Sequence, residues 1–363
     1  MLLCPFFGVG SVALRMLYFL HMASMSLYRK YRPTSWKEVI GQTQVVRVLE
    51  RAVKDAHISH AYLFEGSRGT GKTSVARIFT QAIGTTGSDL YEIDAASNNG
   101  VDDVRDLRDG VRTLPFNSKY KVYIIDEVHM LSKAAFNALL KTLEEPPAHA
   151  IFILATTEVY KLPETVVSRC QVFKFHRPSE EDICINLKNV LKNEGYEADK
   201  GSLALIAILA EGSFRDALTI LEKVLGVSKD KNIEVSEVEA VTGAPRSDLV
   251  EKFIRAILGG EKDVALLTLD KANKSGVDIK MFTKLVLRNL RYSMLIALAP
   301  DMIEDIKNQI SEPELKYLKE LSAGDRAKKL PNTLRAFLSA YNDIGYSYIT
   351  TLPLELAVIE LSA

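Results

Sequence analysis

Cysteine is scarce in this chain: Cys4, Cys170 and Cys184 are the only three among 363 residues. No pair has the spacing of metal ligands, which excludes a disulfide framework and a four-cysteine zinc site and points to a reducing, cytoplasmic setting. Charge of one sign is also missing. Lys and Arg total 46, as do Asp and Glu, so a DNA binder working by bulk charge is excluded, while local phosphate contacts on one face stay open. Nor is there a clean membrane-length run. Residues 2–25 are apolar and aromatic but are broken by Pro5, Gly8, Gly10 and Arg15. A span wants about 20 uninterrupted apolar residues, and a signal peptide wants positive charge ahead of its apolar stretch. Residues 1–25 are therefore expected to be a mis-assigned start or a loose extension, with Met16, Met22 and Met25 as alternative starts. No membrane partner is expected.

What is present is ordinary globular material, 47% apolar and 25% charged, in a chain long enough for two or three domains. Short apolar runs at Tyr62–Phe64, Leu90–Ile93, Lys121–Ile125, Ile151–Ala155 and Val172–Phe175 read as strands. Helical patterns near 73–82, 101–112 and 132–145 alternate with them, which specifies a parallel sheet with helices on both faces. Ser132 can cap the last of these helices, and Pro146-Pro147 ends it. After Pro178 the pattern is helical throughout, with Gly259-Gly260, Gly276, Pro300 and Pro331 marking interruptions or starts. The expected division is an α/β domain at 26–178, a three-helix domain at 179–243, and a helical packing or assembly domain at 244–363.

The chemistry centres on Gly66-Ser67-Arg68-Gly69-Thr70-Gly71-Lys72-Thr73, followed by Ser74. A glycine turn with a lysine can arise by chance, but here a strand leads in and a helix leads out, as a phosphate-binding loop requires. Such a loop turns its N–H groups and a helix N-terminus toward an anion. Lys72 can then reach the outer phosphates, and the Thr73 hydroxyl can ligate Mg2+ beside ATP. The strand Lys121–Ile125 runs into Asp126-Glu127. Adjacent carboxylates are costly to bury, so they belong at the mouth of a site, Asp126 toward magnesium and Glu127 toward an attacking water. The combination implies phosphoryl transfer to water.

Thr156 and Thr157 follow another strand, and either hydroxyl suits a γ-phosphate sensor or a simple cap. Arg169 and Arg215 fit equally a surface cation or the fixed charge an ATPase needs where the γ-phosphate gains negative charge. The arm Tyr28-Arg-Lys-Tyr31-Arg32-Pro33, with basic and aromatic residues interleaved, suits a nucleic-acid patch or a nucleotide-facing segment. Asn98-Asn99-Gly100 opens a helix whose N-terminus can donate to a DNA phosphate, though a solvated face is the default reading.

Together these residues resemble the gamma/tau subunits of bacterial DNA polymerase III, the clamp-loader ATPases of the AAA+ superfamily. The likeness is carried by Leu27-Tyr-Arg-Lys-Tyr-Arg-Pro33, the loop 66–73, Glu92-Ile-Asp-Ala-Ala-Ser97, Ile124-Ile-Asp-Glu-Val-His-Met-Leu131, Leu139-Leu-Lys-Thr-Leu-Glu-Glu-Pro-Pro147, Ser168-Arg-Cys170 and Gly212-Ser-Phe-Arg-Asp-Ala-Leu218. It implies an α/β P-loop NTPase with a parallel sheet and flanking helices, then a three-helix lid and an all-helical collar that joins subunits. By that likeness Arg169 is a finger offered to a neighbour's ATP, and Arg215 is a lid arginine acting on its own subunit's nucleotide. One of Thr156 and Thr157 is the first sensor, and Tyr31, Arg32 and Pro33 lie beside the nucleotide. The implied partners are delta, delta-prime and further gamma/tau copies, the sliding clamp and primer-template DNA.

Two departures stand out. The family usually carries a four-cysteine zinc module after the first helix beyond the phosphate loop, where this chain has only Ile83-Gly-Thr-Thr-Gly-Ser-Asp89, so no zinc is expected. The sequence ends after the collar-like part, without the tail of tau-like forms, so coupling to the polymerase III core through it is not expected. Three other readings compete: an inactive subunit similar to delta-prime, a nucleotide-gated replication scaffold, and a branch-migration motor. The intact Gly71-Lys72-Thr73 and Asp126-Glu127 weigh against the first.

Overall fold

The computed structural model describes residues 25–228 and 230–361; residues 1–24, most of the expected loose extension, lie outside the described residues. Five strands, β1 (Ala61–Glu65), β2 (Leu90–Asp94), β3 (Lys121–Asp126), β4 (Ala150–Thr156) and β5 (Gln171–Lys174), form one sheet in the order β2-β3-β4-β1-β5. Every neighbouring pair is parallel, with Leu63 opposite Leu154 and Tyr123 opposite Phe152. Four helices flank it: α1 (Thr43–Lys54), α2 (Lys72–Ala82), α3 (Val101–Val111) and α4 (Lys133–Glu144). This is the α/β P-loop architecture expected from the alternation of elements.

The inner runs of the three central strands, 61–64 of β1, 122–125 of β3 and 150–155 of β4, are apolar without interruption because both faces of the sheet are covered there. Their side chains alternate between the faces. Ala61, Leu63, Tyr123, Ile125, Phe152 and Leu154 pack with Val104 and Leu107 of α3 and Phe136 and Leu139 of α4. Tyr62, Phe64, Val122, Ile124, Ile151 and Ile153 pack on the other side with Leu49 of α1 and Val75 and Phe79 of α2. The Ser132 hydroxyl caps α4 by accepting from the Ala135 N–H at 3.2 Å. The order of strands has a direct consequence for chemistry. The carboxyl ends of β3, β4 and β1 are adjacent, so the residues that follow each strand meet at one edge.

The chain divides into two compact units within the helix Glu180–Glu194. The first runs to Asn186 and includes Ala210–Thr219; the second comprises Leu187–Leu209 and Ile220 onward. Among its described residues the regular structure of the second unit is helical except for Glu197–Ala198, which pairs in parallel with Asn232–Ile233. Its core is built on the buried Phe253, whose ring lies 5.2 Å from Phe282 and 5.6 Å from Phe337, both edge-on. Pro331 corrects the sequence reading: it neither starts nor interrupts a helix but sits inside the continuous Asp325–Asp343. A proline there forfeits one backbone hydrogen bond. Buried Leu330, Thr333 and Phe337 on the same helix supply packing that keeps it intact.

The short segment between α2 and β2 is secured by a carboxylate. Asp89 is fully buried, and its two oxygens accept from the backbone N–H groups of Phe116 (2.6 Å), Asn117 (2.9 Å) and Ser118 (2.9 Å). Burial alone raises a carboxyl pKa, but here the N–H donors and the Ser118 hydroxyl outweigh it and hold Asp89 down at about 2. A group whose folded pKa lies below its unfolded value stabilises the protein above the unfolded value, and that contribution fades as pH falls through the folded one. Asp89→Asn should therefore unfold at a lower temperature than wild type at neutral pH. The gap should close between about pH 4 and pH 2 in a thermal-melt series. An equal gap at every pH would contradict this role.

Candidate nucleotide site

Where β1 ends, the Gly66 N–H donates to Thr156 O at 3.2 Å, tying the loop to the end of β4. Gly69 and Gly71 of the loop have to be glycine for different reasons. At Gly69 a Cβ would fall 2.0 Å from Ser213 Oγ, and its carbonyl accepts from Phe214 N at 3.1 Å. At Gly71, the N-cap of α2, φ is +98°, a conformation that strains any side chain although nothing would touch a Cβ there. The Thr70 hydroxyl donates to Ser67 O at 2.9 Å and folds the loop on itself.

Lys72 is buried, 6% exposed, and its ammonium donates to Gly66 O at 2.7 Å and Ser67 O at 2.9 Å. Burial lowers its pKa, while the nearby Glu127 and Asp126 carboxylates act to raise it. The next hydroxyl, Thr73 Oγ1, donates to Asp126 Oδ2 at 2.8 Å. Asp126 Oδ1 accepts from the Glu127 N–H at 3.1 Å. Glu127 itself sits at φ +48°, a left-handed conformation rare for a residue with a side chain and typical of constrained functional positions.

These groups open into a cavity of about 400 Å³, within the range of small-molecule sites. Arg68, Gly69, Ser74, Tyr31, Arg32 and Pro33 contribute to its wall. Burial and then Arg77 and Arg215 act to lower the Arg32 pKa, with Glu92 and Asp126 opposing. Arg215 also lines the cavity, its guanidinium 4.8 Å from the centre of the Tyr28 ring. Arg169 does not line it: Nη1 donates to Thr165 O at 2.7 Å and Nη2 to Glu144 Oε1 at 2.6 Å. The two threonines part company. Thr156 is fully buried, its Oγ1 3.0 Å from His129 Nδ1, whereas Thr157 Oγ1 donates to Glu127 Oε2 at 3.1 Å. Asn98 and Asn99 do not line the cavity.

The donor set fits a nucleotide with a divalent cation. Ser67 Oγ is buried without a hydrogen-bond partner beside a helix N-terminus and a buried ammonium, an arrangement that an anion completes. The Thr73–Asp126 pair supplies two hard oxygens, too few for a metal cage and suited to magnesium that keeps water and phosphate ligands. Among the described residues no group of three or more His, Cys, Asp or Glu side chains is arranged to hold a metal by itself.

The contacts made by three participants escape a reading of the sequence, although Tyr28 lies in the arm already singled out there. Gln42 is buried and bonds His176 in both directions, Nε2 to His176 O at 2.7 Å and His176 N to Oε1 at 3.2 Å, fixing the start of α1 against the end of the sheet. Tyr28 carries Arg215. His129 joins Thr156 to the acids, and its only sequence signal is its place three residues after Asp126.

A family model described as "DNA polymerase III, delta subunit" matches residues 41–89 and 84–179, and one described as "DNA polymerase III clamp loader subunit, ATPase lid domain" matches 182–230. The chain is 38% identical over 361 residues to DNA polymerase III subunit tau of Bacillus subtilis, covering 94% of this chain and 63% of the relative. It is 38% identical over 315 residues to DNA polymerase III subunit gamma of Buchnera aphidicola from Schizaphis graminum, covering 81% of this chain and 86% of the relative. Against subunit tau of Escherichia coli K12 it is 37% identical over 300 residues, 77% of this chain and 46% of the relative. The chain thus spans less than two thirds of the tau relatives. The solved Thermotoga maritima RuvB Holliday junction branch migration motor superposes with a TM-score of 0.51 at 22% identity, over 68% of this chain and 86% of that one, a likeness of fold alone. No helix among the described residues is long and apolar enough to cross a membrane. With identity of this level across most of a complete gamma subunit, the chain belongs to the gamma/tau subunit family of bacterial DNA polymerase III.

Proposed function

We propose that this chain is an ATPase subunit of the replicative clamp loader, using Mg-ATP to load a sliding clamp on primed DNA. The observation that carries the proposal is the meeting of Lys72, Thr73, Asp126 and Glu127 in one cavity at the carboxyl ends of β1 and β3, the two strands on either side of β4. Residues 66–74 cradle the phosphates, and Tyr31, Arg32 and Pro33 border the rest of the nucleotide. Thr73 and Asp126 hold magnesium, which when bound neutralises charge on the phosphates. Lys72 meets the negative charge of the outer phosphates, and Glu127 takes the proton of the attacking water. Thr157, whose hydroxyl faces Glu127, is the better placed sensor; the Thr156 hydroxyl is turned into the protein. Arg215 acts on the chain's own nucleotide and Arg169 on a neighbour's. The working domains are 26–178 for ATP, 179–243 as lid and 244–363 as collar, with delta, delta-prime and further gamma/tau copies as neighbours in the cytoplasm.

Lys72→Ala should weaken Mg-ATP binding at least about tenfold by removing a charge-assisted contact. Glu127→Gln should bind within about twofold of wild type yet turn over about 10²–10⁴-fold more slowly, the usual worth of a general base. Equal turnover by Glu127→Gln would falsify the base assignment. Arg169→Ala should leave nucleotide binding by the isolated chain unchanged and lower hydrolysis in the assembled complex by about 10³-fold. Equal losses in both preparations would contradict a role in trans. Reconstitution with partner subunits should show ATPase stimulation only when sliding clamp and primed DNA are both present. A full mixture without stimulation would sink the clamp-loading proposal.

A further inference from the structure

His129 lies in the single turn Val128–Met130 that follows Glu127, with its side chain 7% exposed. Both ring nitrogens face acidic residues. Nε2 is 3.2 Å from Glu158 Oε2, and Nδ1 is 3.0 Å from Thr156 Oγ1 and 3.4 Å from Glu127 Oε2. Counting hydrogens assigns a role to each atom. The Lys161 ammonium at 2.5 Å and the Tyr160 hydroxyl at 2.8 Å hold the Glu158 carboxyl below the ordinary carboxylate range, so it only accepts. In the neutral ring Nε2 therefore carries the hydrogen, and Nδ1 presents its lone pair. Thr156 Oγ1 already accepts the Glu158 N–H at 3.0 Å, which turns the hydroxyl hydrogen toward Nδ1. The ring is thus fixed from both sides by partners that leave it one orientation.

We propose that His129 is a positioning residue for hydrolysis, whose Nδ1 edge sets where the Glu127 carboxylate stands. With the ring neutral, Nδ1 and Glu127 Oε2 are two acceptors with no hydrogen between them, so the ring holds that oxygen off at 3.4 Å while the Thr157 hydroxyl draws it in at 3.1 Å. The carboxylate is trapped between a repulsion and a hydrogen bond, on a backbone already strained at φ +48°. A base held this way needs no reorganisation when water arrives. The inference rests on the proposal that Glu127 is the base.

Four variants separate this role from a packing role, each assayed for Mg-ATP affinity, KM, kcat and melting temperature in the reconstituted complex. His129→Leu removes both polar edges and should lower kcat about tenfold or more while Kd and KM stay within about twofold, because misplacement of a reacting group acts on the chemical step. His129→Asn, which returns a polar group at the Nδ1 position, should recover more activity than His129→Gln, which returns one only at the Nε2 position. Thr156→Val, which leaves the ring in place but removes the hydroxyl that Nδ1 binds, should reproduce the kcat loss and add little to His129→Leu. A His129→Leu kcat within about twofold of wild type, or a Kd that worsens in step with kcat, overturns the proposal. If His129→Leu does not fold, Thr156→Val decides: a wild-type kcat overturns it, and a selective kcat loss supports it. Glu127→Gln runs alongside as the separate control, since wild-type turnover there removes the base assignment itself, whatever the His129 variants do.

Discussion

The site is organised around one unfavourable placement, the positive charge of Lys72 in a pocket that excludes most water. Its direct partners are two neutral carbonyls, those of Gly66 and Ser67, which solvate an ammonium without neutralising it. Burial disfavours the charged form, and only Asp126 and Glu127 pull the other way. An anion entering the loop would restore the balance, which is why a buried lysine here makes physical sense as half of an ion pair. The rest of the local structure follows from that need. The loop must bend back so that its carbonyls reach the side chain six residues on, which the left-handed Gly71 allows. The carboxylates must arrive from another strand of the same parallel sheet, which the sheet order provides by setting only β4 between β1 and β3.

That much was legible in the sequence because each piece leaves a local mark. Strands covered on both faces have to be apolar at every position, and Tyr62–Phe64 and Ile151–Ala155 are. The glycines, Lys72 and the Asp126-Glu127 pair are contiguous motifs. The pieces that stayed hidden are contacts across the fold. Gln42 meets His176, and His129 meets Thr156 and Glu158, with no periodic signal joining either pair. The pairing of Glu197–Ala198 with Asn232–Ile233 is two residues long, too short to leave an alternating pattern. Pro331 misled for the opposite reason. Its local rule is real, but it describes one lost hydrogen bond, and tertiary packing of Leu330 and Phe337 overrides it.

The join between α2 and β2 illustrates how a carboxylate can fasten a segment. Here Thr85 and Thr86 bond to Tyr120 O and Ser118, and Asp89 gathers three backbone N–H groups from 116–118. Three charge-assisted donors on one carboxylate form an anion nest that holds the entry of β2 to the entry of β3. The two strands are neighbours in the sheet, so the fastening sits where register is decided.

The two arginines divide the remaining electrostatic work along lines the geometry makes intelligible. Arg215 faces the cavity of its own chain and rests on the Tyr28 ring, a contact that orients its guanidinium. Arg169 is held away from that cavity by Glu144 and the Thr165 carbonyl, with its side chain about one-third exposed. An ion pair at that level of exposure is worth about 0–1 kcal/mol. Under the proposed function, a γ-phosphate on an adjoining subunit, more highly charged than a carboxylate, can take its place. On the proposed reading this weakness is functional. Glu144 keeps the guanidinium extended and aimed in the isolated chain, yet the hold is light enough that an arriving γ-phosphate can take the arginine over. A tighter, buried pair would lock the finger at home, and an unpaired one would lose its direction to rotamer freedom.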